Sequence, residues 1–444
     1  AANEGFEVVR RRLFLDCKDD AARDEVCATF SKMYNENTSD FPVESRELEY
    51  RDRMVSCYPI HPEVFDRLYE DWATLEKFQR TRGVLRLMAS VIHELWMNQD
   101  PSPMIMPGSF PLDVPGVRDE LTRYLDDNWN AVVDSEIDGK QSVPYRNDGN
   151  NTRYGNLLAS RRVARTIMLG SAPDVGGQSV RGIERAHIRL GTVQPGENIS
   201  VFNDALGTLQ TSSSFLYSDV NGNRFWYDTR PTLRKVADDR AQQVKDSEAL
   251  YEVESRLKRL RKVDPFSGIH VCPASSLDVP DDQTLRLVVL TPSANHRGKT
   301  ADSAALTLAS EILSNRGTSP RTYKNMVVFA AADASYYAQL LSEAKQYLAW
   351  DSIKKDRESL NLDVAQTRET DQSVRRADES LELKIQEAYS WLIYPRVDLF
   401  SDSMDIVWEA EHVEGGGENI VAKIARKLVS DEAAIKTWPR SCFV

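Results

Sequence analysis

Apolar residues recur every three or four positions over much of the first hundred residues, a spacing that predicts amphipathic helices. One helix is expected over residues 4–32 and two more within 63–98. Prolines crowd residues 99–117, so we expect an extended connector there rather than packed structure. Residues 136–152 are polar and rich in Asn and Gly, which predicts a loop.

A second pattern follows this loop. Apolar positions at helical spacing predict three helices, around 157–168, 183–190 and 201–214. The segment 215–228 then places aromatic residues on both sides of Asn221-Gly222, a strong short-range signal for a β-hairpin. Three helices followed by a hairpin is the order of a winged helix.

A long polar helix is expected over residues 231–263, and beyond it the period changes. Short apolar runs rich in β-branched residues predict strands at 269–272, 285–290 and 326–329, with helices at 302–314 and 334–349. Strands that alternate with helices imply a small parallel sheet with right-handed crossovers.

Residues 352–392 carry a long, charged helical pattern whose heptad-like apolar seam is interrupted by polar residues. The broken seam favours a packed stalk or an antiparallel arm over a free dimeric coiled coil. After a glycine run at 415–417, an amphipathic helix is expected through residues 420–428. The sequence ends soon after Trp438, which predicts an incomplete C-terminal unit.

Composition narrows the class of protein. The 444 residues are 41% hydrophobic and 28% charged, which is ordinary for a globular chain of roughly two to four domains. Lys and Arg number 56 against 68 Asp and Glu, a net charge of −12. That charge disfavours a broad surface for nucleic acid but allows a small basic one, because charge acts over about 8–10 Å in salt.

The cellular setting follows from what the sequence lacks. No apolar run approaches the roughly 18–20 residues of a membrane span, and no secretory signal is present. The five cysteines are scattered without a CxxC pair, which suits a reducing cytosol. The chain begins without Met, which suggests a fragment of a longer protein.

The segment His296-Arg-Gly-Lys-Thr300 lies between a predicted strand and a predicted helix, the context of a phosphate-binding loop. Such a loop needs GxxxxGK[ST], and here Ser293 occupies the first glycine position. The next strand does not end in paired acidic residues that could hold magnesium. An ordinary loop is therefore favoured over a nucleotide site.

The segment Phe78-Gln-Arg-Thr-Arg-Gly-Val-Leu-Arg86 is more informative. It places Arg80, Arg82 and Arg86 near the start of an otherwise apolar helix, where cations oppose the helix dipole. This placement indicates an external anion or a carboxylate partner, and a salt-bridged or solvated helix start is the plainer alternative. The basic run at 10–12 has the same ambiguity.

Other catalytic patterns are weak. The six histidines form no HExxH motif and no pair at metal-ligand spacing, so no metal site is predicted. His61, His93 and His187 lie where capping or core histidines are common. His270 and Cys272 point to one face of a predicted strand, where buried strand residues are favoured over a catalytic dyad.

A winged helix can place its third helix in a DNA groove with the hairpin alongside. The third helix here carries no Lys or Arg, so a structural or protein-binding role is favoured at least equally. The candidate DNA-binding residues lie on the hairpin and in the later basic cluster: Arg224, Arg256, Lys258, Arg259, Arg261 and Lys262.

Seven segments, spread in order over nearly the whole chain, share a family likeness. They are Glu4-Gly-Phe-Glu-Val-Val-Arg-Arg-Arg-Leu-Phe14, Tyr58-Pro-Ile-His-Pro62, Phe78-Gln-Arg-Thr-Arg-Gly83, Arg224-Phe-Trp-Tyr-Asp228, Ser319-Pro-Arg-Thr-Tyr-Lys-Asn-Met326, Tyr347-Leu-Ala-Trp350 and Ala388-Tyr-Ser-Trp-Leu392. Each is weak alone. Together they resemble the large prokaryotic AAA+ ATPases grouped as domain-of-unknown-function family number 499.

The resemblance implies an ATPase encoded beside DNA methyltransferases in operons for defence against phage, and related to the ATPases of phage-exclusion systems. It places the P-loop and the acidic magnesium motif N-terminal to Glu4, so ATP and Mg²⁺ are expected in the full-length protein and not on this chain. It makes Arg82 or Arg80 the candidate sensor arginine for the γ-phosphate. It makes one of the arginines at 10–12, Arg11 foremost, the candidate finger acting on a neighbouring subunit.

The predicted fold class is multidomain α+β and helix-rich. The expected divisions are the end of an AAA+ core with its helical lid (1–98), a Pro-rich connector and loop (99–153), a winged helix (154–230), a linking helix (231–265), a small parallel α/β domain (266–350), a helical arm (351–400) and the incomplete C-terminal unit (401–444).

The sequence is compatible with three functions. The first is an ATPase of a cytoplasmic anti-phage or restriction-like complex, with DNA, a DNA methyltransferase and other defence-operon proteins as partners. A homo-oligomer is compatible with it, and no membrane is involved. The alternative is a non-enzymatic winged-helix scaffold for DNA or protein. A third and weaker hypothesis is a hydrolase with a site in the 269–333 sheet.

Overall fold

The computed structural model describes residues 2–15, 17–72, 75, 78, 80–171, 181–219, 221–298, 300, 302–397, 406–415 and 418–430. Their contacts divide the chain into two units, Ala1–Thr232 and Leu233–Val444. Both units are rich in helix, and the second contains a small mixed sheet.

The helices of unit 1 are α1 (Ala2–Leu13), α2 (Asp20–Glu36), α3 (Leu48–Cys57), α4 (Pro62–Asp66), α5 (Arg80–Met97), α6 (Pro115–Thr122), α7 (Asn128–Val132), α8 (Val143–Asn150), α9 (Thr152–Gly155), α10 (Ala159–Gly170), α11 (Arg185–Leu190) and α12 (Ile199–Ser212). Its strands are β1 (Ile183–Glu184), β2 (Leu216–Ser218) and β3 (Arg224–Tyr227). Almost every residue of α10 is buried, so this helix lies at the centre of the unit.

The single helix predicted for residues 4–32 is wrong, because α1 ends at Leu13 and α2 begins at Asp20. Asp19 accepts a hydrogen bond from the backbone N–H of Ala22 at 3.0 Å, which caps the start of α2. The two helices predicted within 63–98 are confirmed as α4, extended by a π-helical turn at Arg67–Asp71, and α5.

Residues 99–117 are not the extended connector that their prolines suggested. Met104, Met106, Phe110 and Leu112 are each 1% exposed and belong to the core of unit 1. Proline is tolerated because Pro115 occupies the first turn of α6, where no backbone donor is needed. The apolar side chains between the prolines are buried in the core, so the segment is packed although its proline content is typical of a connector.

The loop predicted for residues 136–152 is likewise wrong, since α8 covers Val143–Asn150. Ser142 caps that helix by accepting from the N–H of Tyr145 at 3.3 Å. Asp138, at 0% exposure, is held by Arg165 of α10 through two hydrogen bonds of 2.8 and 2.9 Å. A buried bidentate pair of this kind anchors polar sequence in a core.

The hairpin predicted around Asn221-Gly222 is confirmed, because β2 and β3 pair antiparallel. Gly222 has φ of 66°, a conformation that glycine adopts without steric cost. β1 pairs with the other edge of β3, so the sheet order is β1-β3-β2.

The helices of unit 2 are α13 (Leu233–Gln243), α14 (Asp246–Leu257), α15 (Ala304–Ser314), α16 (Tyr337–Lys355), α17 (Val364–Ala388) and α18 (Ile420–Ser430). Its strands are β4 (Gly268–Val271), β5 (Arg286–Val289), β6 (Asn315–Arg316), β7 (Ser319–Pro320), β8 (Val327–Ala331), β9 (Trp391–Val397) and β10 (Ile406–His412). The long helix predicted over 231–263 is therefore two helices, and the second ends at Leu257, between Arg256 and the rest of the basic cluster.

The three strands predicted to be parallel are so: β4 pairs parallel with β5, and β5 with β8. The purely parallel sheet is nevertheless wrong. β9 adds antiparallel to β8 and β10 antiparallel to β9, giving the order β10-β9-β8-β5-β4. The two added strands come from segments predicted to belong to the arm and to the C-terminal unit.

Within the range predicted as the helical arm, α17 packs against α16 and is not a free coil. Ser380 contacts Glu343 at 3.0 Å and Lys354 contacts Asp371 at 3.0 Å, so α16 and α17 run antiparallel. The incompleteness of the C-terminal unit stays a prediction, but Ile420, Val421 and other residues of α18 share the buried core of the sheet. Trp438 lies outside the described residues.

Candidate functional site

The strongest candidate segment, Phe78–Gly83, leads into α5. Arg80 is the first residue of this helix and Arg82 stands in its first turn. The side chain of Arg82 is exposed, and that of Arg80 lies outside the described part of the structure. The predicted position of these arginines at the start of an apolar helix is therefore confirmed, while their role stays a prediction.

Phe78 anchors this turn to the core. Its side chain is 4% exposed and packs edge-on against Tyr124, with ring centroids 5.2 Å apart. A Cβ atom on Gly83 would lie 3.0 Å from the Phe78 ring, closer than ordinary van der Waals contact. Glycine at position 83 thus lets the ring pass beneath α5, which fixes the start of the helix that carries Arg82.

The three arginines of this segment differ in their surroundings. Arg86 forms an ion pair of 2.8 Å with Glu120, and Arg123 reaches the same carboxylate at 2.8 Å. Arg82 forms no ion pair with any residue that the structure describes. Arg86 therefore has a carboxylate partner within the unit, whereas Arg82 presents its charge to solvent.

The other candidate, Arg11, lies on α1, which packs against both α5 and α3. Val9 is fully buried in that contact, while Arg11 and Arg12 are exposed. The Nε of Arg10 is buried and has no hydrogen-bond partner among the described residues. The fold thus places the two candidate arginine segments on neighbouring helices.

A buried polar network lies close by in sequence, beginning at His61. Nδ1 of His61 accepts from the backbone N–H of Glu63 at 3.2 Å, so Nε2 carries the proton and donates to the Tyr34 hydroxyl at 2.9 Å. Burial lowers the pKa of His61 to about 4, which keeps the ring neutral. His61 is a capping core histidine, as predicted.

Sequence reasoning missed Glu63, the hub of this network. Its carboxylate is 1% exposed and contacts Arg67 Nε at 3.1 Å and His187 Nδ1 at 3.2 Å. Burial alone would raise the pKa of Glu63, but Arg67 and His187 together lower it. The pKa of His187 is in turn raised by Glu63, against the effect of burial. The network ties the segment after Tyr58 to α11 and has the character of a structural joint.

The candidate DNA-binding residue on the hairpin is engaged within the sheet. Arg224 pairs with Glu184 at 2.5 Å and donates to the carbonyls of Gly182 at 2.6 Å and Arg181 at 3.0 Å. On α12, Asp204 pairs with Arg153 at 3.3 Å. The guanidinium of Arg224 therefore holds β1 against β3.

The later basic cluster divides into one buried and four exposed residues. Arg256 is 6% exposed and pairs with Glu252 at 2.9 Å and Asp378 at 2.6 Å, over the ring of Tyr347. Burial alone would lower the pKa of Arg256, but the two carboxylates raise it. The exposed members follow α14: Lys258, Arg259, Arg261 and Lys262.

The segment after β5 that resembles a P-loop is ordered by its own contacts. His296 Nδ1 meets the Ser303 hydroxyl at 2.8 Å, and Nε2 donates to the Gly298 carbonyl at 2.8 Å. Ser303 also caps α15, and Lys299 lies outside the described residues. These contacts use both nitrogens of His296 to shape a loop, in keeping with the prediction.

A Cys–His dyad does not form in the sheet. Cys272 follows β4 with φ of 46°, so it leaves the alternation that would align it with His270. Burial raises the pKa of the Cys272 thiol to about 12, which disfavours a nucleophilic thiolate.

Among the described residues, no three His, Cys, Asp or Glu side chains are grouped to hold a metal ion. No helix in the described ranges is long and apolar enough to cross a membrane.

Comparison with known proteins identifies the family. Residues 1–227 match the family model described as the DUF499 second domain, just over half of the 444 residues. The chain belongs to the DUF499 family, which confirms the family that the seven segments suggested. The match contains the first three segments and most of the fourth, and the segments at 319–326, 347–350 and 388–392 lie outside it. No protein of curated function matches it, and no solved structure does either.

Proposed function

We propose that this chain is the nucleotide-sensing and effector portion of an AAA+ ATPase that acts with DNA methyltransferases in an anti-phage or restriction-like complex. The observation that carries the proposal is Arg82: exposed, without a carboxylate partner in the described structure, and fixed at the start of α5 by Phe78 beneath Gly83. Membership of the DUF499 family supports it.

The proposed contribution of this chain to ATP hydrolysis is electrostatic stabilisation by arginine side chains. Bound MgATP supplies the phosphoanhydride to be cleaved, and the family resemblance assigns its main binding loop to a segment N-terminal to Glu4. Arg82, with Arg80 as the alternative, would stabilise charge that develops on the γ-phosphate. Arg11 would do the same for a neighbouring subunit, which requires a homo-oligomer.

The test is ATP turnover by the full-length protein. Arg82→Glu and Arg82→Gln should lower turnover by roughly a thousandfold or more, the scale of a lost catalytic arginine. Arg86→Gln is the matched control on the same helix, because Arg86 already has Glu120 as its partner. Turnover unchanged in both Arg82 variants, with unaltered thermal unfolding, would remove Arg82 from the site.

We assign residues 154–230 as a winged-helix domain. The succession α10, β1, α11, α12, β2, β3 and the sheet order β1-β3-β2 support the assignment. Because α12 carries no Lys or Arg and Arg224 is held by Glu184, we favour protein rather than DNA as the partner of this domain. The alternative function, a non-enzymatic winged-helix scaffold, is therefore proposed as a scaffold that binds protein.

The winged-helix proposal has its own test. Gly207 is exposed on α12, and a Cβ there would meet nothing within 4 Å. Gly207→Arg should therefore preserve the fold while blocking a protein partner, measured by co-purification with the methyltransferase of the same operon. Gly207→Ala is the control. Equal recovery of the methyltransferase with both variants would contradict a role for this face of α12.

A further inference from the structure

A basic turn, residues 258–262, follows α14 in unit 2. Two short-range hydrogen bonds shape it, from Arg259 N to the Arg256 carbonyl at 3.0 Å and from Leu260 N to the Leu257 carbonyl at 2.9 Å. Leu257 is 1% exposed and Leu260 packs against the same core. The apolar residues thus hold the turn against the unit while its cations face outward.

The cations of this turn are clustered in sequence, four within residues 258–262. Some cations of unit 2 have carboxylate partners, such as Arg240 with Asp356 at 2.7 Å and Lys345 with Asp246 at 2.6 Å. Within the described part of the chain, none of the four exposed cations of the turn forms an ion pair. In a chain of net charge −12, four neighbouring cations without partners are a local surplus.

The nearest acidic residues do not cancel that surplus. Glu254 lies one turn earlier on α14 and is engaged by the Thr291 hydroxyl at 2.6 Å. Asp264 is exposed two residues after the turn and offsets one of the four charges. The carbonyl end of α14 favours nearby cations, which explains why the fold tolerates the cluster but leaves its outward charge uncompensated.

We propose that the basic turn binds the phosphate backbone of duplex DNA. Four cations on an ordered turn can neutralise successive phosphates, which are the dominant electrostatic partner of such surfaces. An anionic membrane is disfavoured, because Val263 at 40% exposure is the one large apolar side chain exposed in described residues 258–266. The contact does not depend on the base sequence of the DNA, and it requires neither ATP nor the winged-helix domain.

The proposal sets the size of the salt effect. With four phosphates contacted, log K should fall with log salt at a slope of about −3.6. Raising KCl from about 50 to about 200 mM should then weaken binding about 150-fold. A surface that binds DNA only through diffuse charge would not lose this slope when one turn is altered.

The experiment is fluorescence-anisotropy titration of a labelled duplex of about 30 base pairs with the whole chain. The test variant changes Lys258, Arg259, Arg261 and Lys262 to Gln. The matched control changes four exposed cations of the same unit by the same total charge: Arg357, Arg368, Arg375 and Arg376 to Gln. Binding and its salt slope should be lost in the turn variant and kept in the control, with both variants unfolding at the wild-type temperature.

Three results would overturn the proposal. One is no duplex binding by the wild-type chain at low salt. Another is an equal loss of binding in the turn variant and the control, which would assign the effect to net charge. The last is binding to vesicles of phosphatidylserine and phosphatidylcholine that the turn variant abolishes while its duplex affinity is unchanged. Because ATP is absent throughout, these outcomes are independent of the role proposed for Arg82.

Discussion

Gly83→Ala is the sharpest perturbation of the candidate site, because helix propensity and packing make opposite predictions for it. In a helix interior, replacing glycine with alanine normally stabilises by about 1 kcal/mol. Here the new Cβ would lie 3.0, 3.2 and 3.3 Å from three carbons of the Phe78 ring. Overpacking of this kind costs about 1–3 kcal/mol. We therefore expect a net destabilisation of about 1 kcal/mol, taking about 2 for overpacking against about 1 for propensity.

Two companion variants isolate the cause. Gly207→Ala in α12 introduces a Cβ that meets nothing within 4 Å, so it should stabilise by about 1 kcal/mol. In a Phe78→Leu background the ring carbons are gone, and Gly83→Ala should then stabilise by a similar amount. The coupling between positions 78 and 83 is thus expected to be about 2 kcal/mol.

Equilibrium urea denaturation of the four variants measures these free energies of unfolding, and ATP turnover of the full-length protein measures the consequence. Because Phe78 fixes the turn that carries Arg82, Gly83→Ala should lower turnover while Gly207→Ala leaves it unchanged. Gly83→Ala that stabilises as much as Gly207→Ala, or that has the same effect in the parent chain as in the Phe78→Leu background, would refute the packing argument.

Three further predictions concern stability. The pKa of His61 is about 4 in the folded chain, below its usual value near 6.5. As the pH falls, the unfolded chain therefore takes up the proton before the folded chain does. The free energy of unfolding should fall by up to about 3 kcal/mol between pH 6.5 and pH 4. Urea titrations at several pH values should show that the free energy of unfolding changes less with pH in His61→Gln than in the parent. The comparison cancels the opposing contribution of His187, which both proteins share. Arg256→Gln should destabilise the chain by about 2 kcal/mol, because it removes a buried guanidinium with its hydrogen bonds to Glu252 and Asp378 and its packing over Tyr347. Lys258→Gln should change thermal unfolding little, and similar effects of the two variants would contradict the different environments described. Arg321 is 3% exposed and donates to the carbonyls of Ile312, Pro280 and Val279, so Arg321→Lys, which lacks the planar fork, should cost about 2 kcal/mol in a denaturant titration. Wild-type stability of that variant would show that these hydrogen bonds are dispensable.

Sequence-local features were predicted well where neighbours in the chain decide them. The hairpin at Asn221-Gly222 depends on backbone conformations that glycine permits, and it is present. The strands at β4, β5 and β8 follow from short β-branched runs. The cap by His61 depends on a helix that begins at the next residue.

The candidate site was predictable in part. The sequence pattern located Arg82 in the first turn of a helix, because periodicity defines where α5 begins. It did not separate Arg82 from Arg86, since the carboxylate that pairs with Arg86 lies 34 residues away in α6. It missed Glu63 because the partner His187 is 124 residues distant.

Local pattern was enough to establish the helix-rich class, the hairpin, the parallel strands and the positions of the basic segments. Long-range packing established that the Pro-rich stretch 99–117 is core, that β9 and β10 complete a mixed sheet, and which cations have partners. Arg256 and Lys258 differ by two positions in one cluster, yet only Arg256 meets Asp378, 122 residues along the chain. Backbone preferences act over a few residues and can be inferred from the pattern, whereas burial and ion pairing depend on which distant side chains the folded chain brings together.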